Sequence, residues 1–493
     1  MTTTRRCVVA SLLASGLSPE ILALGLPAAG FAADAPELAP LQGLAGQGVD
    51  AARAVIEGHL PAGLRGRLYR NGPGLMSRGG ERYHHWFDGD GFLQAWSLAD
   101  GQASHRGRFV QTEKFQAEQA AGRFLLPAFG TAIPARRPVR GADTLNVANT
   151  SVLRQGDALY ALWEGGSAYE LDPVTLDTRG VKAWSPELRG MPFSAHPKVE
   201  PDGRVWNFGT FNGRLAVYEI AATGHVRRHA VLDVKAPAML HDFAVSQRHL
   251  IFLLAPVSMD TAALRQGSAM VDAMRWAGDQ PTRVLVVDKA DFGRLRQFEM
   301  PACHVFHFGN AWDDGDLLRL DYVQSAPLPE YNAASRQIMR GERAERDIST
   351  PRVMEIDLRT GRLNLTVRSE AVEFPVVDPR VVAQRHRFVW YPTAIDTGAR
   401  WGFNGLMRLD IESGARERFS FGLQTVVEEH VFVPRPGGTR EGEGWLVGTG
   451  YDVQRRQSFL SVFDAMRLAD GPVARAWLPY WVPYGFHGRF YAG

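Results

Sequence analysis

Fourteen histidines are the residues of this chain best suited to chemistry, and they are scattered along its length. No His-Glu-x-x-His, no His-x-His and no close His/Asp/Glu triplet lays a ready-made metal site on one helix or strand. A metal centre here must therefore be assembled from distant segments. Imidazole suits iron, zinc, copper and nickel alike, so spacing selects neither a site nor a metal. Any one histidine is by default a surface or structural residue. Two cysteines, Cys7 and Cys303, are too few for a cysteine-rich zinc or iron–sulfur site. Asp88-Gly-Asp-Gly91 resembles a metal loop but lacks the later glutamate of a calcium hand, and it reads as a tight turn. Asn71-Gly-Pro-Gly74 is turn chemistry too, without the strand-to-helix context of a phosphate loop.

The elements that must position these side chains are short and β-rich. Runs such as Leu250-Ile-Phe-Leu-Leu254, Arg283-Val-Leu-Val-Val-Asp288 and Arg387-Phe-Val-Trp-Tyr391 recur between Gly, Pro, Asp and Asn. Several end in one kind of turn, at Glu170-Leu-Asp-Pro173, Glu355-Ile-Asp-Leu-Arg-Thr-Gly361 and Arg408-Leu-Asp-Ile-Glu-Ser-Gly414. There an aspartate can close the turn by accepting backbone N–H groups. Repeated strand–Asp–turn–strand units predict β-propeller blades, with a pair of β-sandwiches as the alternative all-β reading. A propeller allows each innermost strand to send one side chain to a common axis, so it can gather remote residues. Helix is expected only over 261–276 and near 332–340.

With 55 Lys+Arg against 53 Asp+Glu in 493 residues, the chain lacks the basic excess that drives sequence-independent nucleic-acid binding. Hydrophobic residues at 45% and charged residues at 22% exclude a mainly disordered or membrane-spanning chain. The N-terminus carries Thr4-Arg5-Arg6-Cys7-Val8-Val9 and a mildly apolar stretch running to Phe31-Ala32-Ala33. It reads as a twin-arginine export leader over 1–32, which predicts a periplasmic or otherwise exported mature domain over 33–493. Glu20 and Pro27 interrupt the stretch as a stable membrane span.

Ten ordered motifs give the scattered histidines a context. They are Leu64-Arg-Gly-Arg-Leu-Tyr-Arg-Asn-Gly-Pro-Gly74, His85-Trp-Phe-Asp-Gly-Asp-Gly91, Asn149-Thr-Ser151, Leu162-Trp-Glu-Gly-Gly166, Ser194-Ala-His-Pro-Lys198, Met239-Leu-His-Asp-Phe243, Phe306-His-Phe-Gly-Asn-Ala-Trp312, Glu373-Phe-Pro375, Glu429-His-Val-Phe-Val-Pro434 and Gly485-Phe-His-Gly488. In these motifs nearly all of the mature chain resembles the carotenoid cleavage oxygenases, non-haem iron enzymes. The resemblance implies a seven-bladed β-propeller with a helical and loop cap over an axial iron site. It places the four Fe(II) ligands at His196, His241, His307 and His487, with His304 as a nearby structural residue. It also implies carboxylates behind three of them: Glu164 for His241, Glu373 for His307 and Glu429 for His487. Such a partner fixes the tautomer that presents the other ring nitrogen to a metal. Thr150 matches a family threonine whose methyl group leans towards an open coordination position. Trp163, Phe306 and Phe374 resemble the lining of a tunnel for a flat polyene.

The activity so implied is an Fe(II)-dependent dioxygenase that uses molecular oxygen to cleave a carbon–carbon double bond of a carotenoid or apocarotenoid into two carbonyl products. A stilbene- or phenylpropene-cleaving oxygenase of the same family is the alternative, and a propeller that binds hydrophobic ligands without chemistry is a second. Relatives acting on phenolic alkenes tend to hold the phenol with a lysine before the first of the glutamates and an upstream tyrosine. Trp163 stands at the first position and Phe109 is taken for the second, which favours an apolar chain over a phenol. The apolar loop 124–134, followed by Arg136 and Arg137, is expected either to touch a lipid surface, passing a hydrophobic polyene or aryl-alkene to the tunnel, or to fold onto the propeller.

Overall fold

Strands of alternating burial, joined by tight turns, build seven sheets arranged as propeller blades in this computed structural model, which describes residues 31–343, 349–395 and 402–493. The expected leader falls outside the described residues over 1–30. Phe31 lies under the Arg82 guanidinium, 4.1 Å from ring to carbon, and Ala32 is buried. Among the described residues no helix is long and apolar enough to cross a membrane.

Blade I runs from Val49–Ala51 at its rim through Gln102–Phe109, Asp90–Ala99 and Gly66–Leu75 to His487–Ala492 at the axis. The innermost strands of blades II to V are Ser151–Gln155, Lys198–Val199, Ala244–Val245 and His304–Asp314. Blade VI has Phe388–Thr393, Gly405–Asp410 and Arg416–Ser420, with Val372 and Val376 bridging to Thr393 and Trp390 on the axial side. Blade VII begins at the axis with Thr425–Pro434 and ends at the rim with Val55–Gly58. The ring is thus closed twice: the last strand of the chain completes the first blade, and an early strand completes the last. Closure ties the first and last blades together, and the radial repeat leaves only short edges at the rim.

The aspartate turns form as their sequence implies. Asp172 accepts from the N–H groups of Val174 and Thr175 (2.8 and 2.9 Å), Asp357 from Arg359 and Thr360 (2.8 and 3.0 Å), and Asp410 from Glu412 and Ser413 (3.0 and 3.1 Å). Apolar faces of adjacent blades pack in separate clusters, for example Trp206, Phe208, Phe243 and Phe252 between blades III and IV.

Four excursions leave the blades on one face and make a cap: the turn Trp86–Asp88, residues 110–149, residues 255–281 and residues 326–343. The expected helix over 261–276 is instead two short helices, Thr261–Arg265 and Met270–Ala273, and a strand, Met274–Trp276. Gly267 at φ +91° lies between the helices and interrupts them. The second expected helix spans Leu328–Met339. A further helix, Glu113–Ala121, was not expected; it is capped by the Thr112 hydroxyl and buries the Lys114–Glu118 ion pair (2.8 Å).

Candidate metal centre and cavity

Each blade sends a residue towards the axis. His196 lies two residues before the inner strand of blade III and His241 three before that of blade IV. His307 sits where the ladder of blade V shifts register between Val305 and Phe308. Glu429 sits at a similar shift in blade VII, between Val427 and His430. Such bulges re-aim a side chain out of the regular alternation. His487 opens the terminal strand of blade I, opposite Asn71. Glu373 of blade VI is followed by Phe374 at φ +51°, a conformation costly for a bulky residue and characteristic of functional sites. Blade II contributes Thr150, whose backbone carbonyl accepts from the His487 N–H (3.3 Å).

One ligand atom from each of His196, His241, His307 and His487 lies within 4.8 Å of the others. His196 Nε2 and His241 Nε2 are 2.9 Å apart, and His307 Nε2 and His487 Nε2 are 3.1 Å apart. Neighbouring donors on a metal with bonds of about 2.1 Å stand about 3.0 Å apart, so the spacing fits a shared ion. The tautomers make the same case. His241 Nδ1 lies 2.6 Å from Glu164 Oε2, His307 Nδ1 2.5 Å from Glu373 Oε2, and His487 Nδ1 2.9 Å from Glu429 Oε1. A neutral ring that donates from Nδ1 carries a lone pair on Nε2. The lone pairs of His307 and His487 therefore face each other across 3.1 Å, an arrangement that a cation between them relieves. Three carboxylates around neutral rings also leave negative charge for a divalent ion to offset.

Burial, with the other three imidazoles around it, holds His196 well below the ordinary imidazole range. Burial likewise pushes His487 down to about 4 against the pull of Glu429. At His307 the cost of burial is outweighed by Glu373, and its pKa is raised. Burial would raise Glu429, but His487, Arg70 and the Gly488 N–H together hold it below the usual carboxylate range. His196 differs from the other three in having no carboxylate behind it among the described residues; its backbone N–H donates to Ser194 Oγ (3.1 Å).

Sequence reasoning overlooked the support beneath this group. Arg70 of blade I, 1% exposed, donates to the carbonyls of Glu429 (3.1 Å) and Phe486 (3.2 Å) and to Glu428 Oε1 (3.3 Å). It thereby locks the segment before His487 to the strand carrying Glu429. Asp242, beside His241, accepts from the Phe308 N–H (2.9 Å) and pairs with Lys198 (2.8 Å), joining blades III, IV and V. Each residue lies in or beside one of the ten motifs, yet nothing in its type or spacing marks it out.

Above the histidines a cavity of about 870 Å³ opens into the cap. Thr150, Trp163, Phe306 and Phe374 all line it. The Thr150 hydroxyl is turned to Asn149 Oδ1 (3.1 Å). The Phe374 ring stacks on His307 (5.1 Å, 30°), and Phe306 meets Tyr331 at 4.7 Å. A Cβ on Gly165 would meet the Trp163 indole at 2.7 Å, so only glycine lets the turn holding Glu164 fold beneath that ring. Met239, Met259, Met270 and Met274 form another part of the wall. Phe109 does not face the cavity: it packs in the blade I core against Phe92 and Phe115, and the rings presented from the cap are Trp86, Phe87, Phe129 and Tyr331. The 124–134 loop is tied down through Glu118, which accepts from the Leu125 and Leu126 N–H groups, and Asp88, which accepts from Gly130 and Thr131. Phe124, Leu126 and Ile133 are buried within it, leaving Leu125, Pro127 and Ala128 half-buried. His304 keeps off the axis, with its Nδ1 3.3 Å from the Ala326 carbonyl.

Comparison with known proteins agrees with this geometry. The pattern of the retinal pigment epithelial membrane protein family matches residues 46–492. The chain is 30% identical over 463 residues to the apocarotenoid-15,15'-oxygenase of Synechocystis, covering 88% of this chain and 92% of that protein. It is 29% identical over 453 residues to the isoeugenol monooxygenase of Pseudomonas putida (88% and 93% covered). With a carotenoid 9,10(9',10')-cleavage dioxygenase of Pisum sativum it shares 28% over 479 residues (88% and 86%). The solved structure of cobalt-substituted Synechocystis apocarotenoid oxygenase superposes with a TM-score of 0.83 at 28% identity, covering 93% of this chain and 98% of that one.

Proposed function

The chain belongs to the retinal pigment epithelial membrane protein family, the carotenoid cleavage oxygenases, and from that premise we propose that it is a non-haem iron dioxygenase cleaving a carbon–carbon double bond of a carotenoid or apocarotenoid. The observation that carries the reading is the meeting of four remote imidazoles beneath an apolar cavity. His196, His241, His307 and His487 would hold one Fe(II), which when bound supplies the means to activate O2. The reaction takes one alkene and one O2 to two carbonyl compounds, both oxygen atoms entering the products.

The chain's own residues bind, orient and exclude water. Phe306, Phe374, Trp163 and Phe129 offer flat apolar walls to a conjugated chain. Thr150 narrows the approach to the imidazoles from blade II. Glu164, Glu373 and Glu429 hold the Nδ1 protons of three ligands and so keep their Nε2 lone pairs available. No side chain is required as a nucleophile. The leader read over 1–32 supports export of the mature chain, and its removal is tested by N-terminal sequencing of the secreted protein.

The test is metal analysis of protein purified without oxygen, then aerobic incubation with an apocarotenal and mass analysis of the products. One iron per chain and two aldehydes from one alkene are expected; a metal-free protein that still cleaves would overturn the reading. Similarity to the isoeugenol enzyme is nearly as high, so an equimolar hydroxystilbene belongs in the same incubation. Trp163 in place of a phenol-binding lysine favours the polyene.

A further inference from the structure

Most polar side chains on the cavity wall have duties within the protein. Glu164 serves His241, Asn149 donates to the carbonyls of Phe87 and Gly89 (2.9 and 2.8 Å), Thr150 is turned to Asn149, and Ser349 reaches Ser325 Oγ (3.3 Å). Among the described residues of the wall, two buried side-chain oxygens have no partner: Glu373 Oε1, beside the histidines, and Ser335 Oγ, away from them in the cap. Ser335 is 6% exposed. It lies on the helix Leu328–Met339, where Tyr331, Ala334, Ser335 and Ile338 all line the cavity. Their spacing of three, four and seven residues puts them on one helix face.

A serine at this point does nothing for the fold. Alanine is the better helix former in a helix interior. An unpaired hydroxyl removed from water is also a standing cost, whereas a methyl group there would be none. The hydroxyl is met only by what fills the cavity, water or the oxygen of a bound molecule.

We propose that Ser335 is a specificity residue: its hydroxyl hydrogen-bonds a hydroxyl carried on the terminal ring of the hydrophobic alkene, away from the bond that is cut. The substrate is then an oxygenated polyene and not a pure hydrocarbon. The inference rests on the proposed function insofar as it takes the cavity to be the alkene site.

The experiment measures binding to metal-free protein of two apocarotenals, identical except for a hydroxyl on the terminal ring, by quenching of tryptophan fluorescence. Native protein is expected to bind the hydroxylated compound about fivefold to tenfold more tightly, the size of one hydrogen bond to a group otherwise left unpaired. Ser335→Ala should bind both equally, keep the native affinity for the unsubstituted compound, and melt no lower than the native protein. Equal binding by the native protein, or a preference that survives in Ser335→Ala, overturns the inference. Iron-loaded protein is then offered both compounds with oxygen. Selective binding without turnover would sink the proposed activity and leave the subsite standing; turnover without preference would do the reverse.

Discussion

The axis and the cap place their side chains by different means. On the axis the imidazoles stand at or near the ends or bulges of inner strands, flanked by neighbouring blades, and three of them are backed by carboxylates. The cap is made of excursions from blades I, IV and V, and its wall is aromatic rings and flexible methionines with few polar contacts. A metal centre tolerates little displacement of its donors. A hydrophobic slot tolerates a great deal, because apolar contacts are non-directional and methionine adapts its shape. The axis is therefore built to hold a metal, and the cap, together with Trp163, Phe306 and Phe374 of the blades, to shape the cavity.

Substitutions can break or sharpen that division. His241→Ala should have the largest effect, with loss of bound metal and of all cleavage, read by elemental analysis and product assay; an active metal-free variant would remove the axis from the chemistry. Next come the carboxylates. Glutamine at 429, 373 or 164 should weaken metal affinity about 10- to 100-fold. The losses should rank Glu429 first and Glu164 last, because their side chains are 9%, 13% and 25% exposed in that order. Competition against a chelator measures this, and equal losses at all three would deny burial its part. In the cap, Phe129→Leu should leave metal content untouched and raise KM by about fivefold, the worth of one aromatic contact of ~1 kcal/mol. Loss of iron in that variant would erase the distinction between the regions.

The last effect is on stability and concerns histidines that hold no metal. Burial pushes His85 and His105 down to about 3 and His430 to about 4. In the unfolded chain each returns to its ordinary value of 6.5, so the unfolded state takes up protons that the folded state refuses. Stability is then complete above pH 6.5 and falls as pH drops towards 4, by at most about 1.4 kcal/mol per pH unit for each histidine. Asp88, which burial raises to about 6, works in the opposite direction and offsets part of the loss. Melting temperature followed from pH 7 to 4.5 checks the sign.

Much of this was legible before any coordinates, for identifiable reasons. Aspartate turns and β-branched runs are local, and they gave the blades. The four histidines could not be found by spacing, since 291 residues separate His196 from His487 and only the ring of blades brings them together; the ordered motifs named them. The helix Glu113–Ala121 escaped because it buries Lys114 and Glu118 as a pair, which erases the apolar stripe that marks most surface helices. Phe109 was misassigned because an alternating strand offers no hint of whether its face meets the core or a cavity. Arg70 shows the limit most clearly: an arginine in a strand is ordinarily solvated, and only the closed ring reveals it as a bolt between the first blade and the last.

That His487 opens the strand His487–Ala492, 180 positions after His307, gives assembly of the centre a direction in time. A ribosome delivers three imidazoles long before the fourth, and the fourth arrives with the strand that seals the circle. The complete cage therefore cannot precede the closing of the ring. Iron held by all four rings would be, in effect, a certificate that the closing strand of the first blade has found its neighbours.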